Sequence, residues 1–268
     1  MVHAKKSLGQ NFLNSRTVAR DIVRAGELSP ADTVLEIGPG KGFLTCEILT
    51  SGANIIAVEK DDRMIPILSE KFAKEIKAKQ LILIHGDILE KINSDTLKLP
   101  KTYKLVANIP YYITGQIIRA FLESKNKPKQ MILMVQKEVA FRIVARDKKE
   151  SILSIAVKAY GTPKLIKKVP ARYFTPSPKV DSAILSITNI SGKNFTSKTA
   201  EKYFFEVVRT GFAHKRKILA GNLKEFFGEK TLIVLKKSGV PENARAENLS
   251  MEQWRSIAQA TNGVILER

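Results

Sequence analysis

The sequence predicts an α/β fold, with a doubly wound parallel sheet followed by a small C-terminal helical domain. Three observations support this prediction. Apolar runs of strand length alternate with helical patterns from residue 33 onward, as in parallel sheets. A glycine-rich turn at residues 38–42 joins the first of these strands to a helix. Beyond residue 191 the patterns are helical, with no strand pattern longer than residues 232–235.

The first strand of the sheet, residues 33–37, runs directly into Gly38-Pro39-Gly40-Lys41-Gly42. Strand, glycine loop and helix form a nucleotide-binding turn, where Gly38 and Gly40 let the backbone approach a ligand. The spacing is G-x-G-x-G and not the G-x-G-x-x-G of dinucleotide-binding proteins, which argues against NAD. The second strand, residues 54–58, ends in Glu59, where a carboxylate would accept the hydroxyls of a ribose.

The next two strands of the sheet also end in polar residues. Residues 81–84 lead to Asp87 and Ile88, which are placed to accept the amino group of an adenine and to pack on its ring. Residues 104–107 lead to Asn108. A single acid after a strand often only caps the next helix. A polar group after each of four successive strands, beginning with Gly38, predicts one ligand site at the carboxyl edge of the sheet.

The segment Asn108-Ile109-Pro110-Tyr111-Tyr112 is the predicted reaction centre. The Asn108 side-chain oxygen and a backbone carbonyl near Pro110 would each accept one N–H of an exocyclic amine, while Tyr111 stacks on the base. Accepting both protons favours the localised lone pair that a nucleophilic amine needs. The alternative is a strand end with a proline turn and two packing tyrosines.

Helices are predicted near residues 62–73 and 114–123, and a fifth strand at 130–135. A helix at 137–145 and a sixth strand at 151–160 follow. A seventh strand at residues 180–187 would pair with the sixth as a hairpin.

The connection between these last two strands, residues 161–179, is predicted to be a proline-rich loop. Its cations Lys167, Lys168 and Arg172 are candidate phosphate contacts. Phe174 would close the base pocket from the face opposite Tyr111, or it is a buried anchor.

The C-terminal part of the chain begins after a linker at residues 191–194. We therefore expect a catalytic domain at 1–188 and a helical RNA-binding domain at 189–268. Ser250-Met-Glu-Gln253 is a capping box for the last helix. Lys215-Arg216-Lys217 is either a solvated face or a grip on phosphate, and the overall charge favours the grip.

The composition predicts a polyanionic partner. The formal net charge is +19, spread over both predicted domains, which points to nucleic acid or to an anionic membrane surface. No apolar run approaches the length of a membrane span, and residues 1–6 lack the apolar region of a signal peptide, so we expect a cytoplasmic protein. The single cysteine, Cys46, and three scattered histidines have no metal-ligand spacing, so we expect no metal.

Taken together, these motifs resemble the bacterial 16S rRNA adenine N6,N6-dimethyltransferases, the KsgA or RsmA family of RNA adenine dimethyltransferases. The resemblance covers nearly the whole chain and is carried, in order, by residues 9–13, 36–40, 108–111, 133–138, 174–182 and 245–250. It implies a Rossmann-like class I methyltransferase sheet and S-adenosylmethionine as donor. The implied cofactor-binding residues are Asn11, Leu13, Gly38, Glu59, Asp87 and Asn108.

The resemblance also implies a substrate and a setting. Two adjacent adenosines in a hairpin near the 3′ end of small-subunit rRNA would each receive two methyl groups, on an immature subunit and by a monomeric enzyme. Lys215 stands where the family commonly has an arginine, which loses one guanidinium fork. Three alternatives are a large-subunit rRNA methyltransferase of the macrolide-resistance type, a non-catalytic ribosome-assembly protein and a small-molecule methyltransferase, which the charge disfavours.

Overall fold

The computed structural model describes residues 4–5 and 8–260 of the 268-residue chain. These residues divide into two compact units: a first unit of the described residues up to 140 together with 161–191, and a second unit of residues 141–160 together with those from 192 to 260. The expected boundary at residue 188 lies close to the observed change of unit at 191. Residues 141–160, which we assigned to the first domain, pack instead with the C-terminal helices.

The strands of the first unit match the sequence prediction from residue 33 to 136 and again at residues 182–188, while the short strand at residues 12–13 and the strands between 162 and 175 were not predicted. The strands are β1 (Phe12–Leu13), β2 (Thr33–Ile37), β3 (Asn54–Glu59), β4 (Leu81–His85), β5 (Lys104–Asn108), β6 (Gln130–Gln136), β7 (Thr162–Val169), β8 (Phe174–Thr175) and β9 (Ser182–Thr188). Strands β2, β3, β5, β6 and β9 are almost wholly buried, as expected for strands covered on both faces.

The main sheet has seven strands in the order β4-β3-β2-β5-β6-β9-β7. The neighbours from β4 to β6 are parallel, and β9 pairs antiparallel with both β6 and β7. The chain winds outward from β2 in one direction to β4 and then returns to start β5 on the other side. Ligands bind at such a reversal point, outside the carboxyl ends of the strands.

Helices connect the parallel strands or build the second unit. They are α1 (Arg16–Ala25), α2 (Phe43–Thr50), α3 (Met64–Lys71), α4 (Ala73–Lys77), α5 (Ile88–Asn93), α6 (Thr114–Glu123), α7 (Lys137–Ile143), α8 (Ile152–Tyr160), α9 (Lys198–Gly211), α10 (Leu219–Phe227), α11 (Thr231–Lys237) and α12 (Met251–Ala260). Within the described residues, no helix is both long and apolar enough to span a membrane.

The predicted sixth strand at residues 151–160 is wrong, because this segment forms helix α8. Its β-branched residues suggested a strand, but Ser151 and Ser154 cap the first turn. The Ser154 backbone N–H donates to the Ser151 hydroxyl at 3.1 Å, and the Ser151 N–H donates to the Ser154 hydroxyl at 2.6 Å. Ile155 and Ala159, one helical turn apart, are fully buried. Capping and tertiary packing therefore override β propensity here.

The predicted proline-rich loop at residues 161–179 is also partly wrong. Residues Thr162–Val169 form β7, which is the antiparallel partner of β9 in place of the predicted sixth strand. Pro163 misled the prediction, but β7 is an edge strand, and proline is tolerated there because one side of the strand makes no ladder hydrogen bonds. Exposed lysines and a bulge between Leu165 and Lys167 also suit an edge strand.

The second unit is a helical cluster around the fully buried Trp254. The Trp254 ring stacks on Phe212 with centroids 5.4 Å apart and lies so close to Gly211 that a Cβ there would be 2.3 Å from the ring. The predicted capping box of α12 is confirmed. The Gln253 N–H donates to the Ser250 hydroxyl at 3.2 Å, and the Ser250 N–H donates to the Gln253 amide oxygen at 3.0 Å.

Candidate active site

A cleft of about 1010 Å³, open to solvent, lies at the carboxyl ends of the parallel strands. It faces the reversal point between β2 and β5, where the topology places a ligand site. The structure brings most of the predicted site residues into its wall. They are Asn11, Leu13, Gly38, Gly40, Glu59, Asp87, Ile88, Asn108, Pro110 and Tyr111.

The glycine loop after β2 is held by the acid at the end of β3. Gly40 has a φ of 56°, and a Cβ at this residue would lie 2.9 Å from the ring of Phe12, so only glycine fits without strain. Its N–H donates to Glu59 Oε2 at 2.9 Å, and the Asp61 N–H donates to Oε1 at 2.8 Å. Each oxygen keeps a second lone pair for a ligand hydroxyl. Burial raises the pKa of Glu59.

Asp87 caps helix α5 and carries an ion pair. Its Oδ1 accepts the Leu89 N–H at 2.8 Å, and its Oδ2 accepts Lys60 Nζ at 2.6 Å. Burial raises the pKa of Asp87, but the bonds from Lys60 and the backbone outweigh it, so the pKa lies below its usual value. An ionised acceptor therefore stands beside the buried Ile88. Asp87 also caps helix α5, which is the simpler explanation for an acid at this position.

The reaction centre predicted from sequence forms the end of β5 and a 3-10 turn at Tyr111–Ile113. The Asn108 amide nitrogen donates to the Asn11 carbonyl at 3.0 Å, which leaves the amide oxygen as the acceptor end of the side chain. The Pro110 carbonyl accepts the Ile113 N–H at 3.2 Å and keeps a second lone pair. The Tyr111 hydroxyl and the buried Ser182 hydroxyl lie 2.6 Å apart, so the tyrosine ring is fixed at both ends.

Residues before α1 form a second wall of the cleft. Strand β1 is a two-residue strand that pairs antiparallel with β8. Its Leu13 is 6% exposed. The Tyr112 ring lies against Gly9, where a Cβ would be 2.9 Å from the ring. The N-terminal segment therefore contacts both the glycine loop and the turn that follows Asn108.

Phe174 does not line the cleft, and the predicted sandwich of Tyr111 and Phe174 rings is not formed in this structure. The side chain is 3% exposed, and it packs in the main core together with Leu13, its partner across the β1–β8 pair. The buried-anchor interpretation accounts for this position. A stacking role for Phe174 stays a prediction, because it requires the β8 loop to rearrange around a bound base.

The ribosomal RNA adenine dimethylase family matches residues 1–262. The chain belongs to this family. A curated relative, the ribosomal RNA small subunit methyltransferase A of Dehalococcoides mccartyi strain CBDB1, is 43% identical over 257 residues, 95% of this chain and 87% of that protein. The protein of the same name from Clostridium botulinum strain Langeland is 37% identical over 264 residues, 97% of this chain and 94% of that protein.

Solved structures agree with membership in the ribosomal RNA adenine dimethylase family. A dimethyladenosine transferase from Plasmodium falciparum aligns with a TM-score of 0.81 at 25% identity, covering 94% of this chain and 98% of that one. The 23S rRNA methyltransferase ErmE aligns with a TM-score of 0.75, also at 25% identity, covering 94% and 100%. The expected Rossmann-like class I methyltransferase fold is confirmed, and the reaction class is adenine dimethylation of ribosomal RNA.

The cleft suits the methyl donor of this family, S-adenosylmethionine. Two carboxylates at successive strand ends, Glu59 and Asp87, are spaced along one wall with the apolar Ile88, which matches an adenosine with its hydroxyls and its ring. Deeper in the same wall, Glu36 Oε2 is buried and has no hydrogen-bond partner among the described residues. Those residues contain no cluster of groups that could hold a metal, and His3 lies outside them.

The predicted RNA-binding residues fall in both units. Lys215, Arg216 and Lys217 are exposed in the turn between α9 and α10 of the second unit. Lys167 and Lys168 are exposed on edge strand β7 of the first unit. Lys167 Nζ contacts Asp21 Oδ2 at 2.6 Å, so part of its charge is already matched.

Arg172, also in the first unit, is exposed with its guanidinium over the Tyr173 ring at 5.3 Å. The contact with Tyr173 restricts the orientation of the Arg172 guanidinium and leaves its charge accessible to solvent.

Sequence reasoning missed two residues that organise the cleft. Asp61 is 1% exposed and follows Glu59, the predicted ribose acceptor, by two positions. Gln10, part of a motif quoted for the resemblance, donates from Nε2 to Asp61 Oδ2 at 2.8 Å. The two residues are 51 positions apart, and no local pattern in the sequence connects them.

Proposed function

We propose that this enzyme transfers methyl groups from S-adenosylmethionine to N6 of two adjacent adenosines in a 3′-terminal hairpin of 16S rRNA. It acts on an immature small subunit in the cytoplasm, as a monomer and without contact with a membrane. The observation that carries the proposal is the Asn108–Tyr111 segment at the end of β5, which opens into the same cleft as Glu59 and Asp87. The groups proposed to accept the target amine and the groups proposed to bind the adenosine of the donor therefore line the same cleft.

The donor's adenosine is expected along the β2–β4 side of the cleft. Glu59 accepts the ribose hydroxyls with its remaining lone pairs, Asp87 accepts the adenine amino group, and Ile88 packs on the ring. Gly38 and Gly40 let the loop backbone approach the chain of the ligand, while Asn11 and Leu13 close the site from the N-terminal wall. When bound, the donor supplies an electrophilic methyl group on a sulfonium.

The target amine is expected on the β5 side of the cleft. The Asn108 amide oxygen and the Pro110 carbonyl each accept one N–H, which turns the nitrogen lone pair toward the methyl group. Holding the two reacting atoms about 3–3.5 Å apart and in line supplies most of the acceleration. The proton leaves to water once attack has raised its acidity. The first transfer removes one N–H, so one acceptor is unused in the second.

Base and RNA binding follow from the rest of the surface. The target adenine leaves its stack, and the ring of Tyr111 offsets part of the cost of unstacking. The net charge of +19 attracts rRNA, with Lys215, Arg216 and Lys217 gripping phosphates from the second unit.

The second candidate is 23S rRNA adenine methylation, which the similarity to the ErmE structure favours. Two observations favour the small subunit: the relatives at 37–43% identity carry small-subunit names, and they match over most of both chains.

Methyl transfer from labelled S-adenosylmethionine tests the proposal. Small and large subunits from cells that lack the modification are offered side by side, and the RNA is digested to nucleosides. Dimethyladenosine confined to the small subunit is the expected result. Label on the large subunit would establish the second candidate, and a protein that binds the small subunit without labelling it would be an assembly factor.

A further inference from the structure

The N-terminal wall of the cleft contacts the main sheet through the Asn108 amide, which donates to the Asn11 carbonyl at 3.0 Å, and through the buried Leu13. Leu8, Gly9 and Gln10 line the cleft ahead of β1, and among the residues that the structure describes β1 pairs only with the two-residue strand β8. The end of the wall near residue 14 is fixed, since the Asn14 N–H donates to the Tyr173 carbonyl at 2.9 Å. The other end depends on side chains.

The Gln10 side chain holds the other end of the wall, near residue 8. Its Nε2 donates to Asp61 Oδ2 at 2.8 Å, and its Oε1 accepts the Lys5 backbone N–H at 2.7 Å. Asp61 in turn donates its own N–H to Glu59 Oε1 at 2.8 Å. One chain of hydrogen bonds thus runs from the expected ribose acid to the N-terminal wall.

Arg63 keeps the Asp61 carboxylate ionised, so that it can accept the hydrogen bond from Gln10. Arg63 donates from Nε to Oδ1 at 2.8 Å and from Nη2 to Oδ2 at 2.6 Å, and these bonds hold the pKa of Asp61 well below its usual range. The carboxylate therefore stays ionised, and the bond from Gln10 is charge-assisted. Asp61 is not part of the cleft wall, so it acts through its neighbours.

We propose that Gln10 and Asp61 form a positioning pair that holds residues 8–13 against the bound cofactor and couples this wall to Glu59. The proposal rests on the proposed function, because it takes S-adenosylmethionine as the ligand. The pair sets cofactor affinity, and any change in the rate at saturating cofactor follows from the Asn11 carbonyl of the same wall, which accepts the Asn108 amide N–H.

A polarity swap tests the pair. Gln10→Glu sets a second carboxylate against Asp61, and we expect the Kd for S-adenosylmethionine, measured by calorimetry, to rise roughly tenfold. Hydrogen exchange of residues 8–13 in the cofactor-free protein should become faster. The double variant Gln10→Glu with Asp61→Asn should recover part of the affinity, because the introduced amide donates to the introduced carboxylate but gives up the Arg63 Nη2 bond at the same position.

Two further variants keep the test decisive. Gln116→Glu adds the same charge at an exposed position of α6 outside the cleft and should leave the Kd unchanged. Gln10→Ala removes the bond while Asp61 keeps Arg63, so it reports on the pair even if the double variant is unstable.

Unchanged affinity and exchange in both Gln10 variants would overturn the positioning pair, as would a double variant that folds but does not recover. A wild-type protein that binds S-adenosylmethionine but labels neither subunit would refute the proposed function alone, because the affinity comparison does not use RNA.

Discussion

Asn108 at the end of β5 is tied to Asn11 of the N-terminal wall by a hydrogen bond of 3.0 Å from the amide nitrogen to the backbone carbonyl. This bond determines which end of the Asn108 amide is available to a ligand. A residue 97 positions away therefore orients the proposed acceptor of the target amine. The N-terminal wall and the reaction centre act as one unit for this reason.

Asn108→Ala should reduce single-turnover methyl transfer by at least about a hundredfold, the effect seen when one catalytic hydrogen-bond partner is removed. Binding of the small subunit should stay within a few-fold. Asn126→Ala is the matched control, because that amide bonds the Pro100 carbonyl outside the cleft. Loss of both transfer and subunit binding would show that Asn108 is a structural residue.

Phe174→Leu separates the two interpretations of Phe174. Leucine keeps most of the apolar volume of this 3% exposed side chain, so unfolding free energy should change by less than about 1.5 kcal/mol. Transfer should nevertheless slow if the ring stacks on the target base. Phe174→Ala, in contrast, should cost about 3–5 kcal/mol from the cavity alone. A leucine variant with the wild-type rate would assign Phe174 to the core.

The sheet and the cleft could be predicted from sequence because their signals are local. Each strand from β2 to β6 is a short apolar run, and a parallel order brings their ends to one edge. One error was local, because the Ser151–Ser154 cap, whose residues lie three positions apart, starts a helix in a β-branched segment. The other errors occurred where distant contacts decide the structure, since an edge position lets Pro163 join a strand. The Gln10–Asp61 bond was invisible for the same reason.

Lys104→Met should destabilise the first unit by about 1.5–3 kcal/mol, the cost of losing hydrogen bonds made by a charged group. Lys104 is 8% exposed, and its Nζ donates to the Gly26 and Glu27 carbonyls and to Asp32 at 2.9, 3.1 and 3.0 Å. Burial raises the pKa of Asp32, but bonds from Lys104 and Ser29 outweigh it and lower the pKa.

The Asp32 contribution is therefore fully present above the ordinary carboxyl pKa near 4 and is lost as the pH falls through the lowered value. Denaturant unfolding at several pH values should show the difference between wild type and Lys104→Met shrinking below about pH 4. An identical difference at all pH values would mean that the carbonyl bonds of Lys104, and not Asp32, carry the effect.

Glu36→Gln should stabilise the protein near neutral pH. Burial raises the pKa of Glu36 to about 8 from an ordinary value of 4.5, with the nearby Glu59 acting in the same direction. The folded protein thus holds a proton that the unfolded chain releases, and stability falls as the pH rises from 4.5 to about 8. At pH 7 the upper limit of this cost is roughly 3 kcal/mol.

Thermal unfolding of wild type and Glu36→Gln between pH 5 and pH 8 checks this expectation. The variant should lose less stability over the interval, while Glu70→Gln, at an exposed position of α3, should follow the wild type. Parallel curves for all three proteins would show that Glu36 is ionised in the folded state.

Replacing Lys215, Arg216 and Lys217 by alanine should weaken rRNA binding most strongly at low salt. These side chains are exposed in the turn between α9 and α10. Each phosphate contact adds about 0.7–0.9 to the magnitude of the negative slope of log K against log salt, so loss of three contacts should make this slope shallower by roughly 2–3.

The matched control replaces Lys74, Lys77 and Lys98, three exposed lysines of the first unit, and removes the same charge. An equal loss of slope in both triple variants would mean that net charge alone attracts the RNA. A smaller loss in the control would assign the phosphate grip to residues 215–217, because long-range attraction is the same in both.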